Sequence, residues 1–309
     1  MKKISIAIHG GAGTILRSNL TPELEQKYMR SLNDSIQAGW KVLTGGGSAL
    51  DAVTEAVRSL EDDPLFNAGR GSVFTSDATH EMDATVMDGF TKKAGAVSLV
   101  SNIRNPVVLA RLIMENTEHI FLCGAAAEKF AAEHGIEPEN DEYFFTQARF
   151  DQLQKARSKA GIILDHSDDK QLGTVGAVAL DSHGNLSAAT STGGMTNKWP
   201  GRVGDSAIIG AGTYADIETC AVSCTGHGEF FMRAVTAYEV SALMKMKGWS
   251  LEESARSAIH DSLGKLGGKG GLIAVDRLGN VAMPFNSEGM YRACLTTGMD
   301  KPLVAIFEN

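Results

Sequence analysis

A threonine placed directly behind a cleavable bond can carry its own base. Gly173-Thr174-Val175 has the order that this chemistry needs. The preceding stretch, 164–172, is polar and reads as an exposed linker, whereas 174–180 is a run of small and β-branched residues that reads as a buried strand. Cutting between Gly173 and Thr174 would place a hydroxyl and a free α-amine on one residue. Such an amine has a reference pKa of about 7.7–8, close to what a general base at neutral pH requires, so Thr174 could be nucleophile and base together. Gly173 suits the scissile position because glycine tolerates conformations that other residues resist. The plainer alternative is an ordinary turn followed by a strand start.

Other side chains could complete this chemistry. The expected strand 186–192 ends in Ser191-Thr192-Gly193-Gly194, and the turn Asp181-Ser-His-Gly-Asn185 marks a hairpin that would bring Thr192 beside Thr174. Ser223-Cys-Thr225-Gly226-His-Gly228 ends another strand and opens a helix. Thr225 and the Gly226 amide could hold a developing oxyanion, commonly the largest single catalytic contribution, or they could merely cap the two elements. Arg202-Val-Gly-Asp205 sets opposite charges three residues apart on a glycine-rich loop. They could pair with each other at the surface, or form a clamp in which guanidinium takes a carboxylate and Asp205 takes an ammonium.

Rival chemistries find little support. His9-Gly-Gly-Ala-Gly13 lacks the third glycine of a dinucleotide loop, and Gly267-Gly-Lys-Gly270 lacks the spacing of a P-loop. No HExxH or GxSxG occurs. A net charge of −8 argues against nucleic-acid binding, and no apolar run approaches the roughly 18 residues of a membrane helix. With 43% hydrophobic and 21% charged residues the chain reads as soluble and globular. The N-terminus lacks a signal-peptide core. Cys123, Cys220, Cys224 and Cys294 form no CxxC pair and read as buried thiols in a reducing cytoplasm.

The elements that must position these groups alternate before Thr174 and pair locally after it. A short strand is expected at 4–8, a helix at 22–43 with Thr21 as cap and Pro22 in its first turn, and a capping-box helix from Ser48 to about Leu60. Strands follow at 82–87 and 94–100, then helices from about Pro106, Ala125 and Tyr143. The second half adds a strand at 220–224, one long helix from Glu229 to about Met246, a capping box at Ser250–Glu253, and a hairpin of 271–275 with 280–283. Locally paired strands flanked by helices predict two sheets sandwiched between helix layers.

Several short motifs, in order along almost the whole chain, mark a family. They are His9-Gly-Gly-Ala-Gly13, Phe66-Asn-Ala-Gly-Arg-Gly-Ser72, Met82-Asp-Ala84, Ala94-Gly-Ala-Val97, Gly173-Thr-Val-Gly-Ala-Val178, Thr190-Ser-Thr-Gly-Gly194, Gly201-Arg-Val-Gly-Asp-Ser206, Cys224-Thr-Gly226 and Phe285-Asn-Ser-Glu-Gly289. The sequence resembles the bacterial isoaspartyl peptidases and plant-type L-asparaginases, N-terminal-nucleophile hydrolases that cleave themselves. The resemblance implies an α+β fold, an αββα sandwich of two mainly antiparallel sheets, as one hydrolase domain over 1–309 cut into 1–173 and 174–309. It implies Thr174 as nucleophile supported by Thr192, an oxyanion hole of Thr225 and Gly226, and a substrate site of Arg202 for the α-carboxylate and Asp205 for the α-amine. Gly228 would help through its carbonyl, with Asn67 near the nucleophile. It further implies a structural sodium ion held by the backbone carbonyls of Leu60, Glu61, Asp63, Phe66, Ala68 and Arg70, no organic cofactor, and a homodimer of cleaved protomers. The expected substrates are β-aspartyl dipeptides and L-asparagine.

Two alternatives stand beside this reading. A glycosylasparaginase would remove N-linked sugar from asparagine, but the expected lack of a signal peptide counts against it. A homologue that binds a small molecule and never matures would not need Thr174, Thr192 and Thr225 together.

Overall fold

Strands made of alanine, valine and isoleucine, apolar on both faces, have to be covered on both sides. The computed structural model, which describes residues 3–13, 15, 17, 20–160 and 173–308, meets that demand with four layers. In the large sheet, β1 (Ser5–Gly13) lies between β11 (Gly289–Thr296) and β5 (Val175–Leu180). Beyond β5 come β6 (Leu186–Thr192), β2 (Met82–Asp88), β3 (Ala94–Val100) and the edge strand β4 (Phe121–Cys123), and β12 (Leu303–Ala305) closes the opposite edge. The second sheet runs β10 (Val281–Ala282), β9 (Gly270–Asp276), β8 (Cys220–Gly226), β7 (Thr213–Ala215). All pairings are antiparallel except β3 with β4.

Alternation along each strand sorts side chains between layers. Ile6 and Ile8 of β1, with Val175 and Ala177 of β5, face α1 (Pro22–Thr44), α2 (Ala49–Glu61) and α3 (Pro106–Asn116). Ala7, Val178 and Ala188 face the other way, against Ala221, Ile273 and Val275 of the small sheet. Its far side, with Cys220, Val222 and Cys224, packs on α8 (Thr236–Lys247) and α9 (Leu251–Arg256). The layers are therefore helix, sheet, sheet, helix, as the resemblance implied.

Local signals placed most elements. Thr21 caps α1 through the Leu24 amide, and the capping boxes at Ser48 and Ser250 are both formed. Four expectations need correction. β1 runs on to Gly13 across a bulge between His9 and Gly11, because β11 supplies it with a partner. The helix expected from Tyr143 is two: α5 (Asp141–Phe144), capped by Asn140, and α6 (Gln147–Ala160). The long helix after Glu229 breaks at Val235, which sits in the left-handed region (φ 52°) between α7 (Gly228–Ala234) and α8. Cys123 is exposed at the sheet edge, whereas Cys220, Cys224 and Cys294 are buried and free. Between β4 and α5 lies α4 (Gly124–Glu133). The 164–172 stretch lies outside the described residues. Among the described residues, no helix is long and apolar enough to cross a membrane.

The two hairpins use one device. Asp181 accepts the His183 and Asn185 amides at 2.8 and 3.0 Å, and Asp276 accepts those of Leu278 and Asn280, both at 2.9 Å. Asp181 alone also accepts the buried Ala49 amide of the first turn of α2, at 3.0 Å. Asp181→Ala should therefore cost more stability than Asp276→Ala, by about 1–3 kcal/mol for the stranded donor. Urea denaturation midpoints of the two variants compare them directly, and equal losses would show that the α2 contact contributes nothing.

Candidate active site

The β5–β6 ladder pairs Val175 with Ser191, so continuing it by one residue sets Thr174 opposite Thr192. The Thr174 hydroxyl donates to Thr192 Oγ1 at 3.1 Å. Thr192 in turn donates to the Gly173 carbonyl at 3.0 Å and accepts the Gly194 amide at 2.9 Å. Its one proton and both lone pairs are thereby committed. A second donor reaches the same carbonyl: Asn67 Nδ2 lies 2.7 Å from Gly173 O and 2.7 Å from Gly194 O. Asn67 is itself held, since its Oδ1 accepts the Val73 amide at 2.9 Å. A β-carbon on Gly173 would stand 2.8 Å from Asn67 Cβ, so glycine is what lets this carbonyl approach both donors.

Opposite the hydroxyl pair, Gly173, Thr174, Thr192, Arg202, Asp205, Gly226 and Gly228 line one cavity of about 10 Å³, room for about one water molecule. Arg202 and Asp205 do not pair with each other at the surface. Arg202 donates through Nε and Nη2 to Glu229 Oε1 at 3.0 and 2.9 Å, and its Nη1 runs along Gly204 and Gly194, which line the cavity. Asp205 is 3% exposed, and its Oδ2 has no hydrogen-bond partner among the described residues. Burial drives its acidity down, to a pKa of about 7, against the opposing pull of Arg202. A side chain on Gly228 would come within 2.9 Å of both Arg202 Nη2 and Asp205 Oδ1, so its bare α-carbon keeps the space between the charges open.

Gly226 ends β8 rather than opening a helix, two residues before α7 begins. Thr225 is buried behind it, accepts the Ala12 amide at 3.1 Å and keeps its own proton for donation. It does not line the cavity, whereas Gly226 does.

Asn67 sits on the turn that follows α2, the segment from which a ring of carbonyls was expected. This turn is tightly wound: β-carbons on Gly69 and Gly71 would stand 2.4 Å from Glu61 O and 2.0 Å from Phe66 O. The Asp63 and Ala68 carbonyls each accept one backbone amide, which leaves each a second lone pair, whereas the Leu60 carbonyl meets the amides of both Asp62 and Asp63. Arg149 of α6 donates to the Leu65 and Gly71 carbonyls at 3.2 and 2.8 Å. The Glu61 side chain points away, accepts the Val107 amide at 3.0 Å and is pushed up to about 8 by burial. Among the described residues, no group of three His, Cys, Asp or Glu side chains comes together as metal ligands.

Residues 2–304 match the model of the family described as asparaginase. The chain belongs to the asparaginase family. Among the relatives of this asparaginase-family chain, the isoaspartyl peptidase of Escherichia coli K12 is 55% identical, covering 100% of this chain and 98% of its own length. The isoaspartyl peptidase of Salmonella typhimurium is 54% identical over all of both chains, and the isoaspartyl peptidase/L-asparaginase of Rattus norvegicus is 44% identical over 95% of this chain and 86% of its own.

Sequence reasoning missed three groups around the site. Glu229 orients Arg202, and its only sequence signal is an acid at the start of α7. Lys198 is buried beside Gly194 and donates to the Glu81 carbonyl at 2.6 Å. His9 bonds the Thr174 carbonyl at 2.8 Å. The last two sit within quoted or adjacent motifs, but nothing local announces their targets.

The acidity of Asp205 gives a test. Its folded value lies above the usual 3.8, so the folded chain holds this proton more tightly than the unfolded one. Ionising it therefore removes stability progressively as pH rises from about 4 through 7. Asp205→Asn should match the parent near pH 4 and exceed its stability at pH 8, by about 2–4 kcal/mol. Thermal or denaturant unfolding at the two pH values measures this, and a parent that is the more stable at pH 8 would contradict it.

Proposed function

We propose that the chain is an isoaspartyl peptidase with L-asparaginase activity that matures by cutting its own Gly173–Thr174 bond. One observation carries this: the Thr174 hydroxyl is relayed through Thr192 to the very carbonyl it would attack, while Asn67 holds that carbonyl from a second direction. As Thr174 Oγ1 bonds to the Gly173 carbon, its proton passes to Thr192 and the Thr192 proton passes to the carbonyl oxygen. Developing charge there is stabilised by donors already in place, which costs no reorganisation. Collapse returns the proton to the Thr174 nitrogen and breaks the C–N bond. Water then opens the resulting ester, giving fragments 1–173 and 174–309 with Thr174 as a new N-terminus. Before the cut, Gly173 lines a cavity that holds about one water, too little for an aspartyl group, so departure of its end would make the room that substrate needs.

In the mature protein the Thr174 amine takes the hydroxyl proton as Oγ1 attacks the substrate side-chain carbonyl. The Gly226 amide and Thr225 hydroxyl stabilise the oxyanion. The amine then gives its proton to the leaving nitrogen, ammonia from asparagine or the α-amine of the second residue of an isoaspartyl dipeptide, and water releases aspartate. Arg202 takes the α-carboxylate; Asp205, with the Gly228 carbonyl, takes the α-ammonium. The two substrates share both charged groups, so one clamp serves each.

Two further parts of the proposal rest on related chemistry. A sodium ion would fit the end of α2 and the turn after it, where the Leu60, Glu61, Asp63, Phe66, Ala68 and Arg70 carbonyls offer neutral hard oxygens. Such an ion would hold the turn that carries Asn67. The working form would be a homodimer of cleaved protomers, and the buried free thiols of Cys220, Cys224 and Cys294 suit a reducing cytoplasm.

Intact-mass measurement of protein purified without added protease should find both fragments, and Thr174→Ala should yield only the full chain and no hydrolysis of a β-aspartyl dipeptide. A Thr174→Ala protein that still splits at this bond would rule out self-cleavage.

Arg202→Ala should weaken substrates with a free α-carboxylate by about 2–5 kcal/mol in kcat/KM. Steady-state kinetics on a β-aspartyl dipeptide decide this, and unchanged constants would leave Arg202 as a partner of Glu229 alone.

A further inference from the structure

Between the two sheets, beside an apolar cluster that includes Ala7, Val178, Ala188, Ala221 and Ile273, lies a line of fully buried polar side chains: His9, Ser223, Thr190 and Thr213. Each comes from a different strand, β1, β8, β6 and β7. His9 Nδ1 is 2.8 Å from the Thr174 carbonyl oxygen, and its Nε2 is 2.9 Å from Ser223 Oγ. Ser223 Oγ is 2.7 Å from Thr190 Oγ1, and Thr213 Oγ1 is 2.6 Å from Thr190 Oγ1. Gly176 leaves the room: a β-carbon there would stand 2.0 Å from Ser223 Oγ and 2.5 Å from His9 Nε2.

The direction of every bond follows from the end that has no choice. A carbonyl oxygen only accepts, so His9 carries its proton on Nδ1. Nε2 must then accept, and Ser223 donates to it. With its own proton spent, Ser223 accepts from Thr190, and Thr190 accepts from Thr213. Burial drives the His9 imidazole down to about 3, so the ring stays neutral and the second proton that would reverse this order is absent.

We infer that His9 is a positioning residue for Thr174: its Nδ1–H tautomer, set by the Thr174 carbonyl and matched at Nε2 by the Ser223–Thr190–Thr213 chain, fixes that carbonyl and, through it, the hydroxyl and amine of the cleaved N-terminus. This rests on Thr174 being the nucleophile. In the uncut chain Thr174 is tethered on both sides. After the cut its amino side is free, and the orientation of the residue depends on the β5 ladder and on the bond from His9 to its carbonyl. Misplacing a reacting group by about 1 Å can cost about 100-fold in rate.

The test compares three substitutions on cleaved protein, with kinetics normalised to the cleaved fraction from intact mass. An asparagine amide can place a donor where Nδ1 stands, whereas glutamine places it nearer Nε2. His9→Asn should keep kcat on a β-aspartyl dipeptide within a few-fold of the parent, while His9→Gln and His9→Leu lose about 100-fold in kcat with little change in KM. Should His9→Leu not mature, the Asn and Gln pair decides. Equal kcat in that pair, a parental kcat in His9→Leu, or a loss confined to KM would overturn the inference. An independent reading needs no variant activity: ¹⁵N spectroscopy of the parent at neutral pH should show His9 protonated on Nδ1 and bare on Nε2, and the opposite tautomer would also overturn it. If these variants are unaffected while Thr174→Ala is inactive, the inference fails and the nucleophile stands; if Thr174→Ala retains activity, the nucleophile assignment itself has failed.

Discussion

The register between β5 and β6 is the constraint on which the site depends. Slipping that pairing by one residue would turn every side chain of β5 to the opposite face, exchanging Val175 and Ala177 with Gly176 and Val178 and carrying Thr174 away from Thr192. What prevents the slip is the hairpin at Asp181–Asn185 on one side and, on the other, the match of small residues to the inter-sheet space and larger ones to the helix layer. The core thus sets the distance between two hydroxyls. The same register keeps Gly176 over His9 and Ser223, the one place in β5 where a polar chain can cross between the sheets.

Around this fixed pair, polarity is arranged so that little is left uncommitted. Thr192 has no spare lone pair, Asn67 has both its donor and acceptor engaged, and the Gly173 carbonyl receives two side-chain donors. The cavity-lining exceptions among the described residues are Asp205, buried with one oxygen unmatched, and Ser206, whose hydroxyl has no partner. A group in that condition weakens the fold unless something arrives to satisfy it. The Thr174–Thr192 side of the cavity is thus fully matched, and the Asp205 side keeps hydrogen-bonding capacity to spare.

Much of this was legible because it is local. The two Asp-x-x-Gly-Asn hairpins and the Ser48 and Ser250 capping boxes are written within five residues, and the nearness of Thr192 to Thr174 follows from one of them. What is non-local was not legible. β11 pairs with β1 across nearly the whole chain, and that pairing extends β1 through a glycine run that reads as a strand end. The break at Val235 has no glycine or proline to announce it; the first turn of α8 instead turns its Ala237 and Tyr238 amides to the Ala211 and Gly210 carbonyls, partners distant in sequence. Cys123 looks apolar in sequence yet lies on the last strand of a sheet, where one side has no cover. Of the site, the motif resemblance supplied Asn67 and the carbonyl turn, while Glu229, Lys198 and His9 act on partners far away in sequence.

The open α-carbon of Gly228 has a wider consequence. It holds a buried carboxylate and a guanidinium a fixed, short span apart, with nothing between them. An internal residue of a polypeptide, its amine acylated and its carboxyl amidated, brings neither charge and would leave Asp205 more exposed to its desolvation cost than before. Only a residue with both ends free of peptide linkage answers both groups. On the function proposed, the site is therefore a reader of chain termini. On that reading an isoaspartyl residue inside an intact protein, which keeps its α-carboxylate but has its α-amine acylated, would answer Arg202 and leave Asp205 unmatched, and would satisfy both groups only after proteolysis had freed that amine.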